Sequence, residues 1–150
     1  MANSGDPCVF YHVPGVRLGT AQAAIKKQGR DDLLVIEADT GATMAAVFTQ
    51  NAFCAAPVTV ARSHLAHSPR WLIINSGNAN AGTGAKGMSD AHWTCDALAN
   101  LVGAEGVEVM PFSTGVIGEY LPIDKIGNAL PSALADLDEG QWDKAALSLI

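Results

Sequence analysis

The chain is 150 residues long, 49% hydrophobic and only 16% charged, a composition that fits one globular domain and excludes a disordered chain. Its formal net charge is −6, from 9 Lys and Arg against 15 Asp and Glu, and no basic run offsets it, which argues against nucleic acid or an anionic membrane as partner. Apolar runs such as Trp71-Leu72-Ile73-Ile74 fall far short of the ~20 residues that cross a bilayer, residues 1–7 lack a secretory leader, and the dispersed Cys8, Cys54 and Cys95 read as reduced thiols of a cytoplasmic protein.

From the N-terminus, residues 15–28 mix Gly, Ala and Lys without clear periodicity and predict irregular structure with one short strand. Leu33-Leu34-Val35-Ile36 is a continuous apolar run, as expected of a strand covered on both faces. Asp39-Thr40-Gly41 supplies turn chemistry before a second apolar stretch at 44–49, so residues 33–49 read as a hairpin. After Ala56-Pro57 a short helix is expected through His67, closed by Ser68-Pro69. Residues 71–75 form the clearest strand, followed by a loop at 76–87 rich in Asn and Gly. Ser89 reads as the N-cap of a helix over 90–102, with Asp90 in its first turn and Gly103 ending it. Residues 107–112 predict another strand, 113–118 a loop, and Pro122 the start of a helix to about Ala135 that must accommodate Pro131. Finally, Trp142, Ala145, Ala146, Leu149 and Ile150 fall on one stripe of an amphipathic helix. That stripe meets the end of the chain without capping residues, which leads us to expect a parent chain that continues.

Several patterns bear on chemistry. Gly82-Thr83-Gly84-Ala85-Lys86-Gly87 matches G-x-G-x-x-G between a strand and a helix, where glycines let backbone approach a pyrophosphate. Seven residues, Asn75 to Ala81, separate it from the strand if that strand ends at Ile74, however, and the acidic Glu108 falls early in the next strand, not at its tip. A Gly-rich loop without a nucleotide is the better reading, with a nucleotide-binding module as the alternative. His64 and His67 share the spacing of a two-histidine metal clamp but lack a third ligand nearby, so a solvated helix face is expected and no metal or cofactor is implied. His12 and His92 are isolated, and the pairs Asp31-Asp32 and Asp138-Glu139 beside turns read as solvated. The three Asn of the 74–84 loop suggest self-bracing by side chain to backbone bonds. Ser113-Thr114-Gly115, at a strand end, could aim a hydroxyl and a backbone N–H at a developing oxyanion, or form a simple turn.

Together, INSGNANAGTG at 74–84 and PFSTGVIGEYLPIDKI at 111–126 closely resemble the ornithine acetyltransferase (ArgJ) family of arginine biosynthesis. Ala24-Ile25-Lys26-Lys27, Val47-Phe48-Thr49-Gln50-Asn51 and Ala55-Ala56-Pro57-Val58 extend the similarity over the chain from about Val13. The resemblance implies a layered α/β fold of the ArgJ type, here the N-terminal part of an α chain and incomplete without the rest. It implies a precursor that cuts itself into α and β chains that stay together as a hetero-oligomer. The new N-terminal threonine of the β chain would be the nucleophile, with its own amine able to act as base. Acetyl would pass from N2-acetylornithine to glutamate in a ping-pong cycle. Thr114 and Gly115 match the family's oxyanion-hole pair. The family's Met-Thr-Thr-Asp segment and its nucleophilic threonine have no counterpart in these 150 residues, so neither Thr43 nor Thr83 inherits that role. On this reading the chain supplies an oxyanion hole and scaffold, and a non-catalytic fragment or interaction partner is a further alternative.

Overall fold

Leu33–Ala38 is apolar at every position but Glu37, and it forms an inner strand of a four-stranded sheet in the computed structural model, which describes residues 11–150. Residues 1–7 and Cys8 lie outside the described part. The strands are β1 (Val16–Ala21), β2 (Leu33–Ala38), β3 (Trp71–Asn78) and β4 (Val109–Val116), adjacent in that order. The pairs β1–β2 and β2–β3 are antiparallel, whereas β3 and β4 run parallel. A parallel pair needs a long crossover, and α2 (Gly84–Val102) supplies it. The remaining helices are α1 (Ala56–His64), continued by a 3-10 turn at Leu65–His67, α3 (Ile123–Ala135) and α4 (Trp142–Ser148).

Alternation along the strands splits the core into two layers. Leu33 and Val35 of β2 and Trp71 and Ile73 of β3 pack against Val60 of α1, Cys95 and Leu98 of α2, and Ile126 and Leu130 of α3. Leu18 and Leu34 face the other way, against Ala145 and Trp142 of α4. The sheet thus carries three helices on one face and one short helix on the other. Truncating Leu98 or Leu130, both wholly buried, would cost on the order of 2–5 kcal/mol each.

The structure corrects several sequence readings. Residues 44–49 form no strand and Val47 is fully exposed. Both edges of β2 are already taken by β1 and β3, which leaves no ladder for a hairpin partner. Helix α2 begins at Gly84, six residues before the expected start, so Ser89 is not a cap. Asp90 is buried inside the helix, where its Oδ1 accepts from Lys86 Nζ at 2.6 Å. In α4, Ala146 is exposed and Ser148 buried, so the expected apolar stripe holds only for Trp142 and Ala145, and Ile150 is exposed. Gly103 does end α2, in the left-handed conformation expected of a C-cap glycine, and α3 tolerates Pro131.

One polar cluster joins three of these elements. Asp136, at the end of α3, accepts from the Thr20 amide of β1 at 2.9 Å, from Lys144 Nζ of α4 at 2.7 Å and from Gln141 Nε2 at 3.2 Å. Burial alone would raise the Asp136 carboxyl, but the Lys144 and Thr20 hydrogen bonds and the Lys144 charge outweigh it and hold it below its usual value. A carboxyl lowered in the folded state stabilises the fold above its unfolded pKa, near 4, and that contribution fades as pH falls through the folded value. Asp136→Asn is therefore expected to cost about 1 kcal/mol in urea unfolding at pH 7, modest because Lys144 is part-exposed. The gap between variant and parent should shrink at pH 3. An equal gap at both pH values would rule out the charged form as its source.

Candidate active site

The two motifs that carry the family resemblance lie side by side. In the parallel β3–β4 ladder, Asn75 pairs with Ser113, Ser76 with Thr114, Gly77 with Gly115 and Asn78 with Val116. Sequence reading placed residues 76–87 and 113–118 in loops, but the strands continue through Asn78 and Val116. These strand ends are held by backbone bonds, which need no apolar side chains, so Ser, Asn, Thr and Gly disguise them. Gly77 and Gly115 have φ of +98° and +133°, and a Cβ on Gly115 would collide with the Gly77 carbonyl carbon and the Asn78 amide. Glycine is required here because the two backbones meet without room for a side chain.

Three buried asparagines clamp this junction. Ser113 Oγ donates to Asn75 Oδ1 at 2.6 Å, and Asn75 Nδ2 donates to the Asn78 carbonyl at 2.8 Å. Asn78 Nδ2 reaches the carbonyls of Glu119 and Tyr120, and Asn78 Oδ1 accepts from the Asn80 amide at 2.8 Å. Asn80 Nδ2 donates to the Gly87 carbonyl at 2.9 Å, while Thr83 Oγ1 donates to Asn80 Oδ1 at 2.8 Å. The self-braced reading of this segment is thus what the structure shows, and the brace extends to β4 and α2. It also accounts for the last glycine of the 82–87 pattern. Gly84 to Gly87 already form the first turn of α2, and the side chains of Asn80 and Thr83 fill the space over Gly87, where a Cβ would clash with both. The third glycine serves packing within the chain.

Thr114 and Gly115 are exposed at the strand tips and open onto a cleft of about 390 Å³, within the range of small-molecule pockets. Ser76 and Gly77 line it from β3, and Lys26, Lys27 and Arg30 from the segment before β2. Arg30 Nη2 donates to Ser76 Oγ at 3.1 Å. Asp32 also lines the cleft but is buried rather than solvated. Its two oxygens accept the amides of Ala23 at 2.7 Å and Ile25 at 2.6 Å, pinning the segment that carries the cations. Sequence reasoning gave Lys26, Lys27 and Arg30 no role in this cleft. The available signal was three cations within five residues of an otherwise acidic chain.

Other candidates fall outside the cleft. His64 is buried, with Nδ1 2.7 Å from the Val109 carbonyl, which corrects its expected solvated position, while His67, His12 and His92 are exposed. Its place follows from α1 burying Val60, Ala61 and His64 on one face. Asp138 and Glu139 are exposed, as expected. Burial, then the neighbouring Asp96 charge, pushes the Cys95 thiol up to about 12, so it behaves as a core residue. Among the described residues no three His, Cys, Asp or Glu gather into a possible metal site, and no helix is long and apolar enough to cross a membrane.

A parallel βαβ unit whose strand tips carry hydroxyls and glycines over a cleft lined by Lys26, Lys27 and Arg30 defines an α/β domain with a candidate small-molecule site. Residues 17–150 match the ArgJ family, and the chain belongs to it. It is 63% identical over 138 residues to the arginine biosynthesis bifunctional protein ArgJ of Methylococcus capsulatus, covering 92% of this chain and 34% of that protein. The ArgJ protein of Pseudomonas fluorescens is 49% identical over 141 residues, covering 94% and 35%. The chain therefore spans about a third of the length of the curated relatives it matches. Among solved structures, ornithine acetyltransferase from Mycobacterium tuberculosis in complex with ornithine has a TM-score of 0.84 at 33% identity, covering 91% of this chain and 75% of that one. The ArgJ protein of Bacillus halodurans follows with a TM-score of 0.73 at 33% identity, covering 85% and 71%. The layered α/β fold expected from the motifs is the fold of these relatives.

Proposed function

We propose that this chain is the N-terminal part of an acetyltransferase of arginine biosynthesis, moving acetyl from N2-acetylornithine to glutamate, and that it contributes the oxyanion hole. The observation that carries the reading is the register of Thr114-Gly115 beside Ser76-Gly77 at the mouth of a small-molecule cleft. The Thr114 hydroxyl and the Gly115 N–H donate to the acetyl oxygen as it becomes an alkoxide. The nucleophile is an N-terminal threonine on the β chain cut from the same precursor. Its Oγ attacks the acetyl carbonyl, the tetrahedral intermediate expels ornithine after its amine gains a proton, and the glutamate amine then attacks the acetyl-threonine through a second oxyanion. The partner is that β chain, the assembly a hetero-oligomer of the two, and the cycle uses no cofactor in these residues.

The direct test is acetyl transfer by the purified full-length protein against residues 1–150 alone. We expect turnover from the former and none from the latter. Transfer by the 150-residue chain would show that the nucleophile lies within it. Calorimetry with NAD or ATP should give no heat, because Gly84 to Gly87 are the first turn of α2 and Asn80 and Thr83 pack over Gly87.

A further inference from the structure

Beside Thr114, two cations stand without a carboxylate partner. Arg30 is half-buried and gives one N–H to the neutral Ser76 Oγ, and Ser76 pairs in register with Thr114. Guanidinium carries five N–H donors in a planar fork, so most of its capacity faces no protein acceptor of opposite charge. Lys27 is exposed on the same cleft. Among the described residues, neither Arg30 nor Lys27 lies within ion-pair distance of an Asp or Glu. The other charges here are occupied: Lys26 Nζ lies 3.1 Å from both oxygens of Glu119, and the Asp32 carboxylate is taken by two backbone amides. With Lys26 offset by Glu119 and the buried Asp32 carboxylate counted against Arg30 and Lys27, this cleft still keeps a surplus of positive charge in a chain of net charge −6, which favours anions there.

We infer that Arg30, assisted by Lys27, forms a carboxylate subsite for the amino-acid substrate, adjoining the oxyanion position at Thr114. The inference rests on the acetyl-transfer reading above. Both of that reaction's amino acids carry an α-carboxylate, and glutamate alone adds a γ-carboxylate. A planar carboxylate matches the Arg30 fork with two parallel N–H···O bonds. Its anchoring there fixes the N-acetyl group, or the attacking amine, relative to the strand tips. Where the γ-carboxylate is the group held, the same two cations also favour an acceptor whose side chain is anionic.

The test is steady-state kinetics of the full-length protein, with acetylornithine as donor and glutamate, glutamine or isoglutamine (glutamate with its α-carboxyl amidated) as acceptor. Arg30→Gln is expected to raise KM for glutamate about 10- to 100-fold, the worth of a lost charge-assisted hydrogen bond. Arg30→Lys, which keeps the charge but not the fork, should fall between. Lys27→Gln, at an exposed position where folding is not at risk, should raise KM about 3- to 5-fold. If the γ-carboxylate sits on Arg30, the penalty of Arg30→Gln is confined to the acceptor and vanishes with glutamine. If the α-carboxylate sits there, donor and acceptor both suffer and the penalty vanishes with isoglutamine. Unchanged KM for donor and all acceptors in Arg30→Gln overturns the subsite. Parent protein inactive with every pair would instead defeat the acetyl-transfer reading. Calorimetric binding of glutamate to parent and Arg30→Gln then decides the subsite alone, with equal affinities counting against it.

Discussion

Replacing Thr114 by alanine in the full-length protein is expected to lower kcat on the order of 10²–10³-fold, roughly 3–4 kcal/mol, while leaving KM for acetylornithine nearly unchanged. The asymmetry follows from where the charge appears. A ground-state acetyl oxygen is a weak acceptor, so one donor adds little to binding. The tetrahedral oxyanion carries close to a full charge, so the same donor counts chiefly in the transition state. Thr114 is exposed and held by its backbone pairing with Ser76, so removing the hydroxyl leaves the ladder intact. In the proposed double displacement an oxyanion forms when threonine is acetylated and again when it is deacetylated, so burst and steady-state rates should fall together. Thr114→Ser keeps the hydroxyl and should recover most of the turnover. Undiminished kcat in Thr114→Ala would remove the residue from the mechanism, and loss in both variants would mark it as a packing residue.

What could be read from the residues divides along physical lines. Strand β2 and the first half of β3 were visible because burial on both faces demands an apolar run, which Leu33 to Ile36 and Trp71 to Ile74 supply. Helix α3 was visible from Pro122 at its start, and the structure buries its Ile126, Ala129, Leu130 and Ala133. The polar halves of β3 and β4 were not, because backbone ladders and asparagine amides hold them. The first turn of α2 was hidden by Gly84 and Gly87, the second of which is glycine because Asn80 and Thr83 approach it closely. Residues 44–49 carry apolar side chains of strand type, yet nothing in that segment reveals that β1 and β3 already occupy both edges of β2. The site shows the same division. Thr114 and Gly115 came from the family resemblance, since a hydroxyl and a glycine after a strand are equally a turn. Asp32 and Arg30 took on meaning only once the fold brought the segment before β2 against the tip of β3.

The cleft depends on the asparagine clamp, and Asn80 is the member with most to lose. It is wholly buried, its backbone is left-handed at φ +46°, and its amide and side chain make three hydrogen bonds, to Asn78, Gly87 and Thr83. Asn80→Ala leaves the buried Thr83 hydroxyl without its acceptor, at about 1–2 kcal/mol, and takes from the Gly87 carbonyl its side-chain donor, at about 1 kcal/mol. It also places a Cβ residue without a stabilising side-chain bond in the left-handed region, at roughly 1 kcal/mol more. A total near ~3–4 kcal/mol is expected in urea unfolding of the 150-residue chain, read as a lower midpoint at unchanged slope. Asn80→Gly relieves the backbone cost but not the orphaned partners, so it should be the milder variant by about 1 kcal/mol. Asn80→Asp keeps an acceptor for Thr83 but turns an oxygen toward the Gly87 carbonyl and buries a charge, so it should be no better than alanine. If all three unfold like the parent, the clamp is not what seats α2 against the strand tips. If they are destabilised in this order, the Asn-rich motif acts as a fastener, holding Thr114 and Gly115 in place without touching substrate.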